Sequence, residues 1–315
     1  MHHHSAVAGV LHQNPSLRNF YLNRSTRLYC TRRFIGGYTS PQVNILYSDF
    51  SCNPGIERLR YDMRFLGENV HQVIRRLLSE DYYVVFTGID DFYLPGKTFY
   101  HERHFPHDGL IHGYDMKQKT YLLYAYDKDW RFGRFETTQS GFEKGRRAAM
   151  REGTFGTIWG IKAKDTQVEF SIPEVKENLR LNLKLSVANY PIHDPREVYG
   201  SVVHDFIGMY LDKLYDGSIP YDRMDHRVFR LIWEHKKFMH ERICRIEDTL
   251  SLPHTYSEEY FPLVETANRM RMLYASHHMK RRDSLLPVIK KMLLSVKQDE
   301  DRIIANLLEK MEILS

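Results

Sequence analysis

Cysteine is scarce in this chain of 315 residues: there are three, Cys30, Cys52 and Cys244, and no two of them share CxxC spacing. That excludes a zinc-ribbon ligand set and a disulfide framework, and it suits a reducing compartment. Long apolar runs are missing as well. None approaches the roughly 20 residues needed to cross a bilayer, so no membrane association is expected. Neither charge sign dominates, because 45 Lys and Arg stand against 40 Asp and Glu, giving a formal charge of +5. The basic residues are scattered, and a nucleic-acid groove, which needs clustered cations, is not expected. Gly36-Gly37 lacks the Lys-Ser/Thr of a phosphate loop, and no cofactor is expected. The first ten residues carry His2, His3 and His4 where a secretion signal has Lys or Arg, and their apolar run is too short for such a signal. The expectation is a soluble, cytoplasmic protein.

What is present is enough for a packed core. Hydrophobic residues make up 42% and aromatics 13%, with 21 Tyr and 17 Phe, which fits one large domain or two ordinary ones. Up to about residue 66, short β-leaning runs such as 43–47 alternate with the turn signals Gly36-Gly37, Ser40-Pro41 and Asn53-Pro54-Gly55. A helix is predicted over 68–79, because Val70, Val73, Ile74, Leu77 and Leu78 share one face. The β-branched and aromatic run 82–89 reads as a buried strand. Two more strands, 107–113 and 120–126, follow with a polar connection between them. A short helix over 141–150 and a second hairpin, 155–163 with 168–172, come next. From about 195 the period turns helical, with apolar stripes through 198–214, 229–250, 258–278 and 283–314, the last with Pro287 in its first turn. The predicted fold class is α+β, with a sheet domain over 1–190 and a helical domain over 191–315.

One constellation carries chemistry. On a strand His107, Gly109 and Ile111 share one face, while Asp108, Leu110 and His112 share the other. On an antiparallel neighbour, Asp127 at the strand end lies across from His107, the relation that a base and its orienting carboxylate require. The pattern alone leaves open a surface His beside a surface Asp. Asp90 and Asp91 close the preceding strand. Asp91, with Tyr93 beside it, is a candidate substrate contact, against the alternatives of a turn-initiating Asp and a core aromatic. His101, His104, His107 and His112 invite a metal reading, but ligands need a supporting shell that spacing does not supply, and no metal site is expected. His235 and His240 lie roughly 140° apart around a helix and do not pair.

The stretch Tyr83-Val84-Val85-Phe86, then Ile89-Asp90-Asp91-Phe92-Tyr93-Leu94-Pro95, an aromatic loop, His107 and Gly113-Tyr114-Asp115 resembles the N-terminal domain family of butirosin biosynthesis protein H. Val198-Tyr199-Gly200 in the helical part is similar to that family too, and the resemblance spans about residues 66–250. It implies a papain-like fold and acyl transfer in antibiotic or nonribosomal-peptide biosynthesis. The acyl group would move from the phosphopantetheine thioester of an acyl or peptidyl carrier protein to a small-molecule amine, or be released. It also implies a Cys–His–Asp mechanism, with a Cys opening an apolar helix whose dipole favours the thiolate. Here the pattern is departed from. Cys30, in Arg27-Leu28-Tyr29-Cys30-Thr31-Arg32-Arg33, has flanking positive charge but no clear following helix, and Cys52 reads as a loop residue. Asn19 can occupy the family's Cys position, and Ser25 or no nucleophile at all stay open. Catalysis by Cys30, His107 and Asp127 is therefore weighed against a degenerate member that binds a carrier protein or acylated intermediate without turnover.

Overall fold

The computed structural model describes residues 17–36, 40–46, 53–127, 132–183, 197–225 and 227–314. In chain order its main elements are α1 (Leu17–Arg24), β1 (Leu28–Thr31), β2 (Asn44–Ile45), β3 (Ile56–Asp62), α2 (Val70–Ser79), β4 (Tyr83–Asp90), β5 (Pro106–Asp115) and β6 (Thr120–Tyr126). They continue as β7 (Phe132–Thr138), α3 (Gln139–Arg151), β8 (Thr157–Ala163), α4 (Ile172–Leu183), β9 (Glu197–Tyr199), α5 (Val203–Tyr215), α6 (Val228–Thr249), α7 (Thr255–Lys280) and α8 (Leu285–Ile313). The class is α+β with a helical C-terminal region. No helix among the described residues is long and apolar enough to cross a membrane.

The described residues fall into two compact units, 17–18 with 53–168 in one and 19–46 with 169–314 in the other. The division differs from the boundary read near 190, since the second unit also takes an N-terminal segment. Its tie is long-range: β1 pairs with β2 on one side and with β9 on the other, Cys30 lying opposite Val198. Val198, read from sequence as the start of a helical stripe, is a strand residue.

The first unit is a six-stranded antiparallel sheet in the order β3-β8-β4-β5-β6-β7. Val70, Ile74 and Leu77 of α2 and Phe142 of α3 are buried with Val84, Phe86, Ile111, Leu123 and Ile158 of the sheet, and this apolar layer makes the core. Gly145 lets α3 approach the end of β4, because a Cβ there would meet the Asp90 carbonyl oxygen at 2.9 Å. The hairpin expected over 168–172 is not formed. β8 pairs with β3 and β4 instead, and Ser171 accepts from the Glu174 backbone N–H at 3.4 Å at the start of α4. The second unit packs α4 to α8 and β1 around one core.

Candidate functional site

The site forms where β4 ends beside the start of β5. Ile89 pairs with His107 and Asp90 with Pro106, after a register shift between Phe86 and Ile89 at which Gly88 takes a φ of +66°. The bulge, which glycine accommodates, re-aims the last residues of the strand. The Asp90 carboxylate is fully buried. Its Oδ1 accepts from the backbone N–H of Phe92 at 3.1 Å and of Phe105 at 2.9 Å, and its Oδ2 lies 2.6 Å from His104 Nδ1. The His104 side chain is 47% exposed, and its ring stacks on Phe92 at 4.6 Å. A buried carboxylate fixed by two N–H groups and bonded to Nδ1 of a half-exposed imidazole has the geometry by which a carboxylate can orient a base.

A second triplet adjoins it. Leu94-Pro95-Gly96-Lys97 makes a turn closed by the Lys97 N–H on the Leu94 carbonyl at 3.3 Å, with Gly96 at φ +81°, as a type II turn demands. The turn brings the buried Lys97 back to Asp91. Lys97 Nζ lies 3.3 Å from Asp91 Oδ2 and 3.4 Å from His107 Nδ1, and Asp91 Oδ2 lies 3.7 Å from that same Nδ1. The His107 side chain is 27% exposed. Burial pushes the Asp91 carboxyl up to about 6 even with Lys97 beside it, and burial draws the Lys97 ammonium below its ordinary value.

The residues expected from sequence are distributed unevenly. His107 and Asp91 meet at this site. Tyr93 is half-buried, with its ring edge-on to Phe92 at 5.0 Å and 6.1 Å from His104. Asp127 follows β6, and its carbonyl accepts from Thr98 Oγ1 at 2.8 Å. The β5–β6 pairing runs no further toward it than the Leu110–Tyr124 rung, so its level with His107 is an extension of the register. A bulge in β5 between Ile111 and Gly113 interrupts strand alternation at His112. The choice of His107 over His112 thus rests on surroundings: the His112 ring lies on Tyr124 at 4.6 Å and burial lowers its pKa.

Cys30 lies in the second unit, 0% exposed in its core, and burial pushes its thiol up to about 12. A thiol that stays protonated and sealed from solvent is a poor nucleophile. Cys244 is on α6, its thiol also raised by burial, and Cys52 lies outside the described residues. Ser25 is buried. Among the described residues no group of three or more His, Cys, Asp or Glu side chains is arranged to hold a metal.

Two further polar clusters were not expected. In the first unit a cavity of about 480 Å³ is lined by His71, Glu143, Ser140 and Arg147; His71 Nδ1 lies 2.8 Å from Tyr121 Oη and its Nε2 3.3 Å from Glu143 Oε2. In the second unit Lys236 of α6 is fully buried, with Nζ 2.5 Å from Glu300 Oε2 of α8 and 3.0 Å from His204 Nε2 of α5. The Tyr260 hydroxyl donates to the other Glu300 oxygen, and His235 Nε2 lies 2.8 Å from the Thr26 carbonyl. Burial pushes His204 down to about 4 and His235 down to about 3. Glu300 is held at about 2, because Lys236 and the two histidines outweigh its burial.

Comparison with protein-family models and with curated proteins finds no match to this chain.

Proposed function

We propose that the protein is an acyl-transfer enzyme acting by general base catalysis at the end of β4. The observation that carries the proposal is the His104–Asp90 pair, an oriented and accessible imidazole on a buried carboxylate. Resemblance to the butirosin biosynthesis protein H family supplies the reaction class: a carrier-protein thioester as donor and an amine as acceptor, in antibiotic or peptide biosynthesis. A papain-like arrangement of the sheet is the finer form of this reading. Among the described residues no cysteine opens a helix, and Cys30 is sealed in a core. With Cys52 outside the described residues, we take the acceptor amine as the nucleophile of the proposed reaction. His104 Nε2 takes the amine proton as nitrogen attacks the thioester carbonyl. The C–N bond forms, the C–S bond breaks, and the pantetheine thiolate takes up the proton on leaving. The mild basic excess suits an acidic carrier protein.

With an acyl-pantetheine thioester and a primary amine, His104→Ala is expected to form amide at least about a hundredfold more slowly than the unaltered chain. Circular dichroism should be unchanged, because the Asp90 carboxylate keeps the backbone N–H groups of Phe92 and Phe105 as donors and the His104 side chain is half exposed. Wild-type rates in His104→Ala would remove the role of His104, and an acyl adduct on a cysteine in the intact mass would restore the thiol mechanism. A second reading, binding of the acylated carrier without turnover, is favoured by the burial of Cys30. It predicts carrier affinity with no amide formed by any variant.

A further inference from the structure

We infer that the helical unit carries a binding site for a small organic molecule with a primary ammonium group, at the place where the C-terminal ends of α5 and α7 meet. The site is independent of the proposed acyl transfer. A cavity of about 380 Å³ lies there, lined among others by Leu214, Asp216, Ile219, His277, Arg281 and Asp283. The residue that calls for a ligand is His277. Its side chain is 2% exposed, and its Nδ1 is buried with no hydrogen-bond partner among the described residues. Buried polar atoms are rarely left so in a native structure. Asp283 Oδ1 lies 3.5 Å from this nitrogen without bonding to it, and the Asp283 side chain is 63% exposed. The imidazole is wedged edge-on against the Tyr221 ring at 5.7 Å, while the Tyr221 hydroxyl donates to the His277 carbonyl at 3.3 Å.

The chemistry of the ligand follows from these two atoms. One nitrogen can reach both at about 2.9 Å, since they stand only 3.5 Å apart. A carboxylate only accepts, so whatever bridges them must donate to Asp283. An ammonium donates to Nδ1 as well, with the ring proton on Nε2, whereas a hydroxyl has a single donor and needs a proton on Nδ1. Charge selects the ammonium. The lining holds two carboxylates, Asp216 and Asp283, against one guanidinium, and that of Arg281 lies over the Tyr221 ring at 4.7 Å. Asp216 is fixed by the Ser218 N–H on its Oδ1 at 2.8 Å. The two helices, 13 and 26 residues long, both turn the negative ends of their dipoles this way. Leu214 and Ile219 offer apolar wall to the body of the ligand.

Proton–nitrogen correlation spectra of the nitrogen-labelled full chain at neutral pH test the site with phenylethylamine and the smaller butylamine as probes. Phenylethanol and phenylpropionate are the neutral and anionic controls. Expected are saturable shifts confined to the amides of 214–221 and 277–283, with a Kd of about 1 mM or tighter for at least one amine and none from the controls. Asp283→Asn, at an exposed side chain, should keep the rest of the spectrum and weaken the amine at least about tenfold. Arg281→Gln should bind as well or more tightly. Shifts from neither amine overturn the site. Equal binding of phenylethanol, tighter binding of phenylpropionate, or an affinity that Asp283→Asn leaves unchanged overturns its assignment to an ammonium.

Discussion

Lys236→Met is expected to destabilise the helical unit by about 3–5 kcal/mol, read as a lowered midpoint in urea followed by far-ultraviolet circular dichroism. Lys236 and Glu300 are both fully buried, and the second Glu300 oxygen is already taken by Tyr260. Removing the ammonium leaves a carboxylate inside an apolar core with only hydroxyl and imidazole partners, and the desolvation it then suffers is uncompensated. The double replacement Lys236→Met with Glu300→Leu removes both charges and is expected to recover most of the loss, because a buried pair and a hydrophobic pair of similar volume are close in net stability. The diagnostic is the order, with the single variant less stable than the double. A single variant within about 1 kcal/mol of the original chain would mean that the pair is not intact in solution.

Acid should weaken the same unit steeply. His204 and His235 have folded pKa values near 4 and near 3, below their ordinary value of 6.5. Below about 6.5 the unfolded chain binds protons that the folded chain refuses, so stability is fully present above that pH and falls as pH drops towards the folded values. Each group contributes about 1.4 kcal/mol per pH unit inside its window, so the two together cost about 3 kcal/mol per unit. Glu300, lowered to about 2, continues the loss once the unfolded carboxyl begins to protonate. Asp91 has the opposite sign. Raised to about 6, it takes a proton in the folded sheet unit before the unfolded chain does, which adds stability there as pH falls. Urea midpoints measured from about pH 7 to about pH 5 should therefore drop for the helical unit, read by Trp233 fluorescence in a chain with Trp130 and Trp159 replaced by Phe. A flat profile for Trp233 would contradict the burial of these histidines.

The strands with dense β-branched and aromatic residues were legible in sequence. β4, β5 and β6 lie within a residue or two of their expected bounds, because such runs suit a pleated, half-buried surface. β7 was not, since Phe132-Gly133-Arg134-Phe135-Glu136-Thr137-Thr138 mixes Gly and charge and is a strand by virtue of its pairing with β6. The segment before α4 carries a helix-start signal in its sequence. Ser171-Ile172-Pro173-Glu174 has the sequence pattern of a capping box with proline in the first turn, of which the Ser171 half is formed while the Ser171 N–H donates to Asn23 Oδ1. At the site, the acids and histidines were visible as residue types, but their partners depend on a bulge and a tight turn that spacing alone does not reveal. The buried pair had a sequence signature too. Lys236 interrupts the stripe Ile232, Met239, Ile243, and Glu300 interrupts Leu293, Val296, Ile303. Two opposite charges, each in the middle of an apolar stripe, are a stronger sign of contact than either alone.

The β1–β9 pairing has a consequence for synthesis. Leu28–Thr31 meets Glu197–Tyr199 across almost the whole of the sheet unit's sequence. On the ribosome, residues 53–168 emerge as one uninterrupted stretch and can complete their sheet while β1 still waits for its partner. Synthesis at roughly 5–20 residues per second leaves β1 without β9 for about ten seconds or more. During that interval the β1 edge that will receive β9 is open to chaperones or to strand exchange with another nascent copy.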